Sequence, residues 1–201
     1  MDKVDPTINT YNLYDDVYDK ETIEFWSNFP NSTIDLFTKN LPGNKILNLG
    51  SGSGRDSLLL RDRGLDIVCL DASEKMVERT RKLGFMTTQS DFRQMTLEKD
   101  TYDGVWAYTS LLHIKKDEVK DILKKIYRSL NTNGIFLIGM IEGNYEGIKV
   151  RNSMPGTSRY FKFYEEKELR ALLESAGFIF NGQERYKLHN NVYISQVYTK
   201  L

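Results

Sequence analysis

The sequence predicts an α/β protein with a mostly parallel sheet and helices on both faces. Short apolar runs, typical of buried parallel strands, alternate with segments of helical periodicity. The first clear run, residues 45–49, leads into three glycines at every second position, and a helical pattern follows. A glycine turn between a strand and a helix is typical of nucleotide-binding α/β proteins, because it exposes backbone N–H groups to a ligand.

Length and composition indicate an ordinary globular domain. The chain has 201 residues, enough for one domain with a sizeable core. Lys and Arg number 28, as do Asp and Glu, which argues against broad attraction to nucleic acid or to anionic membrane. Cys69 is the one cysteine, and its apolar neighbours indicate a buried thiol rather than a nucleophile or part of a metal cluster. We find no signal-peptide pattern and no membrane-length apolar stretch, and we therefore expect a cytoplasmic protein. We expect no metal site.

Residues 1–44 precede the glycine turn and are predicted to be helical. Tyr14, Val17 and Tyr18 have i, i+3, i+4 spacing, which places them on one helical face. This aromatic face is predicted to pack on the domain or to form a flap over the ligand, and both can hold. A second helix is expected over residues 32–41.

The strand and helix pattern then runs to the end of the chain, with no repeat or linker, so we expect one domain over residues 1–201. Seven strands are predicted over residues 45–49, 66–70, 85–89, 102–108, 135–141, 178–180 and 192–197. Helices are predicted over residues 55–63, 73–83, 117–130 and 165–176, with a turn at residues 131–134. The last two strands are close in sequence and are expected to pair antiparallel. Residues 143–164 mix glycines, a proline, bases and aromatics, which predicts a loop inserted over the ligand side.

Polar side chains stand where several predicted strands end, which is the edge at which such sheets bind ligands. Asp71 follows the glycine turn by about 20 residues, where a carboxylate can accept hydrogen bonds from a ribose. Ser73 is the better cap of the next helix, which leaves Asp71 for a ligand. Asp91 and Phe92 can recognise a purine amine and ring, or they can be a loop carboxylate and a core side chain. Glu142 ends the fifth strand.

The glycine turn does not match a phosphate-binding motif. A dinucleotide fingerprint needs glycines at the first, third and sixth positions. Counted from Gly50, the sixth residue is Arg55, and the third glycine is the fifth residue, Gly54. The lysine and hydroxyl pair that ends a P-loop is also absent. The spacing therefore favours a nucleoside without phosphates.

These motifs, taken in order, resemble those of class I S-adenosylmethionine-dependent methyltransferases. The resemblance covers residues 46–180 and rests on Leu47-Asn48-Leu49-Gly50-Ser51-Gly52-Ser53-Gly54, Asp71, Asp91-Phe92 and Tyr102-Asp103-Gly104-Val105-Trp106-Ala107. It implies a Rossmann-like, seven-stranded sheet with an antiparallel strand at its C-terminal end. Similarity to the small bacterial branch near the tellurite-resistance and other small-molecule methyltransferases rests on Gly54-Arg55-Asp56-Ser57, Ser110-Leu111-Leu112-His113 and Arg159-Tyr160-Phe161.

The resemblance implies S-adenosyl-L-methionine as the cofactor. The glycines would approach its methionine and ribose, Asp71 would hold the ribose, and Asp91 with Phe92 would frame the adenine. Residues 107–110 would lie beneath the sulfonium. The expected cofactor-binding residues are Asn48, Gly50, Ser51, Gly52, Gly54, Asp71, Ala72, Asp91, Phe92, Ala107 and Tyr108.

Asn48 departs from the family pattern, which usually has Asp or Glu there, facing the cofactor ammonium. An amide oxygen still accepts a hydrogen bond but brings no charge, and a charge-assisted bond is stronger by about 1 kcal/mol. We therefore expect weaker cofactor binding, and we expect Asn48→Asp to tighten it.

The activity implied by the resemblance is in-line methyl transfer to a small molecule, which depends above all on positioning. His113 is the candidate general base because histidine titrates near neutrality, although a loop or helix-capping histidine is equally compatible with its place. His189 is expected to be solvated. Arg159 could pair with an acidic substrate or with a surface carboxylate. The candidate acceptor-pocket residues are Tyr14, Tyr18, Glu142, Arg159 and Tyr160.

Two alternatives stay open at this point. A non-catalytic S-adenosylmethionine-binding protein is disfavoured by the otherwise complete motif set. An RNA or protein methyltransferase is disfavoured by the balanced charge and by the lack of an added recognition domain. We expect a monomer or homodimer with a small-molecule acceptor, whose identity the sequence does not indicate.

Overall fold

The computed structural model describes residues 5–201. Residues 1–4, part of the predicted N-terminal segment, lie outside the described range. The strands are β1 (Lys45–Leu49), β2 (Asp66–Asp71), β3 (Met86–Gln89), β4 (Tyr102–Tyr108), β5 (Leu130–Ile141), β6 (Glu146–Lys149), β7 (Arg159–Lys162), β8 (Ile179–Leu188) and β9 (Asn191–Thr199). The helices are α1 (Pro6–Leu13), α2 (Asp15–Glu21), α3 (Ile23–Ser27), α4 (Asn31–Thr38), α5 (Arg55–Arg61), α6 (Glu74–Lys82), α7 (Val119–Ser129) and α8 (Glu166–Ser175), with a 3₁₀ turn at Leu111–His113.

Seven of these strands form one sheet in the order β3-β2-β1-β4-β5-β9-β8. Neighbours from β3 to β5 pair in parallel, whereas β9 runs antiparallel to both β5 and β8. The predicted fold class is therefore confirmed. The strand order reverses between β1 and β4, and the carboxyl ends of strands at such a reversal form a ligand-binding crevice.

The core lies on both faces of the sheet, because successive side chains of a strand point to opposite sides. Leu47 and Leu49 of β1 belong to the cluster packed against α7 and α8. Ile46 belongs to the other cluster, together with Trp106 of β4 and Phe37 of α4. By the same alternation Asn48 points to the face of Ile46, where the side chains beneath the glycine turn are packed.

Several local predictions are confirmed. The helix predicted over residues 117–130 is present as α7, and the Ser73 side chain caps α6 by accepting the N–H of Met76 at 3.3 Å. The strand predicted over residues 102–108 has those bounds as β4. These features depend on residues that are close in sequence, so the pattern alone was sufficient.

The prediction of a loop over residues 143–164 is wrong in part, because β6 and β7 form an antiparallel pair within it. Strand β8 extends well beyond the predicted residues 178–180. Its residues are mostly half-exposed or exposed, since β8 is the last strand of the sheet and lacks the apolar run of a central strand. The predicted turn at residues 131–134 is an irregular stretch at the start of β5. Pairing with β4 shifts there from Tyr102–Leu130 to Gly104–Ile135, and Asn133 has a φ of 62°.

No helix within residues 5–201 combines the length and the apolar character required to cross a bilayer.

Candidate active site

The glycine turn between β1 and α5 lies at the crevice of the sheet. Gly50, Gly52 and Gly54 have φ values of 78°, 51° and 83°, the left-handed region that favours glycine. A Cβ on Gly50 would lie 2.3 Å from the Cβ of Ser110, so a side chain does not fit there. At Gly52 the nearest atom to such a Cβ is Cε1 of Tyr18, at 3.7 Å. The ring of Tyr18 thus lies at van der Waals distance over the Gly52 backbone.

Asp71, at the end of β2, is tied to the glycine turn. Its Oδ2 accepts the N–H of Gly52 at 2.8 Å, and its Oδ1 accepts the N–H of Ser73 at 2.9 Å. Burial raises the pKa of this carboxyl group to about 6. Each carboxylate oxygen has two acceptor positions, so each keeps one for a ligand hydroxyl.

Asp91 and Phe92 follow β3 at the same edge of the sheet. The Asp91 carboxylate accepts the backbone N–H of Arg93 at 2.8 Å and the Nη1 of Arg93 at 2.9 Å. Phe92 is mostly buried and contributes to the cavity wall. Arg93, which sequence reasoning missed, also pairs with Asp5 and Glu118 and so joins the N-terminal segment to this corner.

These groups surround one cleft. The cavity volume is about 80 Å³, so the cleft is narrow in this structure. The lining residues that the sequence singled out are Gly50, Gly52, Asp71, Ala72, Asp91, Phe92, Tyr108, Tyr18 and His113. The helix α1 adds Thr7, Ile8 and Tyr11, which the sequence did not single out as site residues. The concentration of aromatic residues in the N-terminal segment was the one signal that pointed to them.

Four predicted cofactor residues, Asn48, Ser51, Gly54 and Ala107, do not line the cleft. Asn48 is fully buried, and its Nδ2 donates to Ser57 Oγ at 2.8 Å. Its Oδ1 has no hydrogen-bond partner among residues 5–201. The Asn48 side chain therefore points into the packing beneath the turn.

A buried acid lies beside Asn48. Asp56, at the start of α5, accepts the N–H of Ser57 at 2.8 Å and the indole N–H of Trp106 at 3.1 Å. Burial raises the pKa of Asp56 to about 7. Asp56 belongs to the motif Gly54-Arg55-Asp56-Ser57, but no sequence pattern indicated a role for its side chain. A carboxyl group thus lies next to position 48, but it does not line the cleft.

His113 is held by two hydrogen bonds. Nδ1 lies 2.7 Å from the carbonyl oxygen of Tyr160, and Nε2 lies 2.8 Å from the hydroxyl of Tyr11. A carbonyl oxygen only accepts, so Nδ1 carries the proton and Nε2 accepts from Tyr11. Burial lowers the pKa of His113 to about 4, which leaves the ring neutral at neutral pH. This arrangement does not favour the predicted role as a general base, because the lone pair is already used.

A second cavity adjoins the cleft, and Tyr11, Tyr18, Thr109 and His113 line both. Arg159 is the further predicted acceptor residue in its wall. The other lining side chains are mainly aromatic or charged, among them Glu21, Glu24, Phe25, Trp26, Arg151, Phe161, His189 and Tyr193.

The other three predicted acceptor residues make contacts elsewhere. The Tyr14 hydroxyl donates to the carbonyl of Pro155 at 2.7 Å. Glu142 pairs with Arg185 at 2.9 Å, and the Tyr160 hydroxyl donates to Glu146 at 2.7 Å. Their contact with an acceptor stays a prediction that these positions do not favour.

No cluster of three or more His, Cys, Asp or Glu side chains suited to a metal ion occurs within the described part of the chain.

Comparison with known proteins agrees with this architecture. Residues 47–138 match the family model described as a methyltransferase domain. The chain is 30% identical over 136 residues to a glycine/sarcosine N-methyltransferase of Halorhodospira halochloris, covering 61% of this chain and 50% of that protein. It is 28% identical over 109 residues to a sarcosine/dimethylglycine N-methyltransferase of Aphanothece halophytica, covering 49% of this chain and 39% of that one. The chain thus spans about half the length, or less, of these curated relatives.

Solved structures share the whole fold. The Burkholderia thailandensis 1,6-didemethyltoxoflavin-N1-methyltransferase, with 1,6-didemethyltoxoflavin and S-adenosylhomocysteine bound, superposes with a TM-score of 0.75 at 19% identity, over 96% of this chain and 87% of that chain. An S-adenosylmethionine-dependent methyltransferase from Methanosarcina mazei superposes with a TM-score of 0.74 at 16% identity, over 82% and 96%.

The fold and the family match define the class of this protein, an α/β protein with a Rossmann-like methyltransferase architecture. Residues 47–138 are similar to methyltransferase domains, and the fold is that of solved S-adenosylmethionine-dependent methyltransferases. The family resemblance drawn from the sequence motifs is therefore confirmed.

Proposed function

We propose that this protein is an enzyme that binds S-adenosyl-L-methionine in the cleft and methylates a small molecule in the second cavity. The observation that carries the proposal is that Gly52 and Asp71 line a cleft which shares part of its wall with a second, aromatic cavity. The relatives support it, since their names include N-methyltransferases of glycine, of sarcosine and of 1,6-didemethyltoxoflavin.

The residues of the cleft fit this cofactor. The Gly52 backbone lines the cleft beneath the Tyr18 ring, which has to move for a ligand to approach it. Both oxygens of Asp71 keep an acceptor position for the ribose hydroxyls. The ring of Phe92 offers an apolar surface to the adenine. Asp91 can accept from the adenine amine while its bonds to Arg93 hold the carboxylate in place. When bound, S-adenosylmethionine supplies a methyl group that its positive sulfur has already activated.

Positioning is the main task of the remaining residues. Tyr18 and Thr109 lie where the two spaces meet and are suited to hold the acceptor towards the cofactor. Because the pKa of His113 is about 4, its ring serves to hold Tyr11 rather than to take a proton at neutral pH. An acceptor that reacts through an unprotonated atom needs no base from the protein.

We also propose that the N-terminal helices act as a cap over the cleft and that residues 143–164 close it from the other side. Asp19 of α2 pairs with Arg55 of α5 at 2.9 Å, and Asp15 pairs with Arg79 of α6 at 2.7 Å. The hydroxyl of Thr10 donates to the carbonyl of Ser158 at 3.0 Å, which joins α1 to the β6–β7 segment. A cofactor enters when these contacts open.

The cellular location of the protein and its partner belong to the same proposal. The free, buried thiol of Cys69 suits a reducing compartment, so we place the protein in the cytoplasm. Its partner is the small-molecule acceptor.

Calorimetry with S-adenosylhomocysteine tests the cofactor site. Asp71→Asn is expected to weaken binding about tenfold or more, because a charge-assisted bond to the ribose is lost. Asp66→Asn makes the same change at the exposed start of β2 and is expected to bind like the wild type. A wild-type protein that does not bind S-adenosylhomocysteine would contradict the proposal.

Methyl transfer is tested with labelled S-adenosylmethionine and a cell extract separated by size. Label in the small-molecule fraction is the expected result. Label in RNA or protein would support the macromolecular alternative, and binding without any transfer would support a non-catalytic binding protein.

A further inference from the structure

Arg159 is a buried cation without a carboxylate partner. It lies on β7 and is 4% exposed, although arginine is almost never buried unless it is paired. No carboxylate of residues 5–201 forms an ion pair with its guanidinium. The surface-carboxylate alternative considered from the sequence is therefore not what the described residues show.

The contacts that Arg159 does make leave part of it unused. Nη1 donates to the Tyr11 hydroxyl at 3.1 Å, and the guanidinium lies 5.3 Å from the Tyr11 ring centre and 5.2 Å from that of Phe161. Nη2 is buried and has no hydrogen-bond partner in the described chain. A buried charged donor without an acceptor is costly, so this atom is suited to an acceptor that arrives with a ligand.

The charges around Arg159 do not supply that acceptor. In the second cavity, Arg151 is paired with Glu21 at 2.8 Å, and His189 lies 3.3 Å from Glu24. Each acidic side chain in the described wall thus faces a basic partner other than Arg159. The guanidinium of Arg159 therefore has no carboxylate partner among the described residues of a largely aromatic wall.

We propose that the methyl acceptor carries a small anionic group, a carboxylate or a phosphonate, and that Arg159 binds it. The inference rests on the proposed function, since it assigns the substrate class of the same site. A guanidinium can donate two parallel hydrogen bonds to such a group, which fixes its orientation as well as its position. The aromatic side chains of the cavity receive the uncharged part of the acceptor.

Tyr11 controls access to this site. It covers the guanidinium from α1, and Nη2 is shielded from water by the surrounding residues. The anion therefore reaches Nη2 when Tyr11 moves with the N-terminal helices, and it replaces the hydroxyl as the acceptor for Arg159.

Three probes that share a phenyl ring test the inference: benzoate, phenylphosphonate and benzamide. Each is titrated by calorimetry into the protein saturated with S-adenosylhomocysteine. We expect at least one of the two anions to bind about tenfold or more tightly than the neutral amide, since hydrogen bonds to charged groups are stronger. Which anion binds better distinguishes a carboxylate site from a phosphonate site.

Arg159→Gln keeps hydrogen-bond donors but removes the charge, and it is expected to abolish most of that preference. Arg170→Gln removes the same charge from a pair with Glu174 on the surface of α8 and is expected to retain the preference. If Arg159→Gln does not fold, Arg159→Lys keeps the charge without the planar fork and should show a reduced preference.

Equal binding of the anions and the amide by the wild type would overturn the inference. A preference that survives in Arg159→Gln would do the same. If the protein fails to bind S-adenosylhomocysteine, the proposed function is contradicted, and the same probes titrated into the cofactor-free protein still test the anion site by itself.

Discussion

The side chain of Asn48 donates a hydrogen bond from Nδ2 to Ser57 Oγ at 2.8 Å, beneath the glycine turn. The amide is fully buried and lies beside the carboxyl group of Asp56. The expectation drawn from the sequence placed position 48 against the cofactor. The structure instead makes it a donor within the packing between β1 and α5.

A second acid at this position is therefore expected to destabilise the protein. Asn48→Asp places two carboxyl groups side by side in a buried site, which should lower the free energy of unfolding by ~1–3 kcal/mol at pH 8. The loss should be smaller at pH 6, where a shared proton relieves the repulsion. Chemical denaturation at both pH values measures it.

The control for Asn48→Asp is Asn152→Asp, an exposed position with the same change of charge. Unchanged stability together with tighter binding of S-adenosylhomocysteine would instead support the expectation from the sequence.

Asp56 predicts how stability depends on pH. Its pKa is about 7 in the folded protein and 3.8 ordinarily, so the folded state holds a proton that the unfolded chain releases. The contribution of Asp56 to the free energy of unfolding is complete below the ordinary pKa and is lost as the pH rises towards 7. The total loss is about 1.4 kcal/mol for each unit by which the folded and unfolded pKa values differ. Asp71, whose pKa is about 6, acts in the same direction.

In Asp56→Asn the decline in unfolding free energy between pH 4 and pH 7 should be shallower than in the wild type, because one of the two protons is absent. Asp62→Asn, at an exposed position just after α5, should keep the wild-type slope. If the unfolding free energy falls with pH equally steeply in the wild type and in Asp56→Asn, the Asp56 carboxyl group is not the source of this pH dependence.

His113 is expected to stay neutral throughout the physiological pH range. Because burial lowers its pKa to about 4, its ring proton signals in NMR should not shift between pH 6 and pH 8. The chain has two histidines, so His189→Asn assigns the signal of His113. A titration of that signal near pH 6.5 would restore His113 as a candidate general base.

Asp19 is expected to hold the N-terminal helices on the domain. Its carboxylate accepts from Nε and Nη2 of Arg55, both at 2.9 Å, and each side chain is partly buried. Asp19→Asn should cost about 1 kcal/mol in local stability and speed amide exchange across α1 and α2 about fivefold. Exchange in β4 and β5 should not change.

A matched control for Asp19→Asn is Asp121→Asn, which breaks a pair with Lys124 inside α7 and should leave exchange in α1 and α2 unchanged. Equal exchange in the wild type and Asp19→Asn would show that other contacts hold the helices.

The fold was largely predictable because its signals are local. The apolar run of β1, the spacing of the glycines after it and the capping serine of α6 each depend on residues within one turn or strand. The structure of the segment between β5 and α8 was not predictable from the sequence. Strands β6 and β7 form backbone hydrogen bonds with each other, but a long loop rather than a hairpin turn connects them. Strand β8 lies at the edge of the sheet, where its residues are partly exposed to water. It therefore lacks an apolar run, and the sequence pattern predicted it too short.

By itself the sequence determined the class I architecture, the glycine turn and Asp71 at the mouth of the crevice. The tertiary structure decided the hydrogen-bond partner of Asn48, the protonation of His113 and the lack of a carboxylate partner for Arg159. Tyr11 and His113 are 102 positions apart in sequence, and Tyr11 and Arg159 are 148 apart, yet they are joined by hydrogen bonds. Protonation and charge pairing depend on burial and on neighbours brought together by packing. No local pattern of residues contains that information.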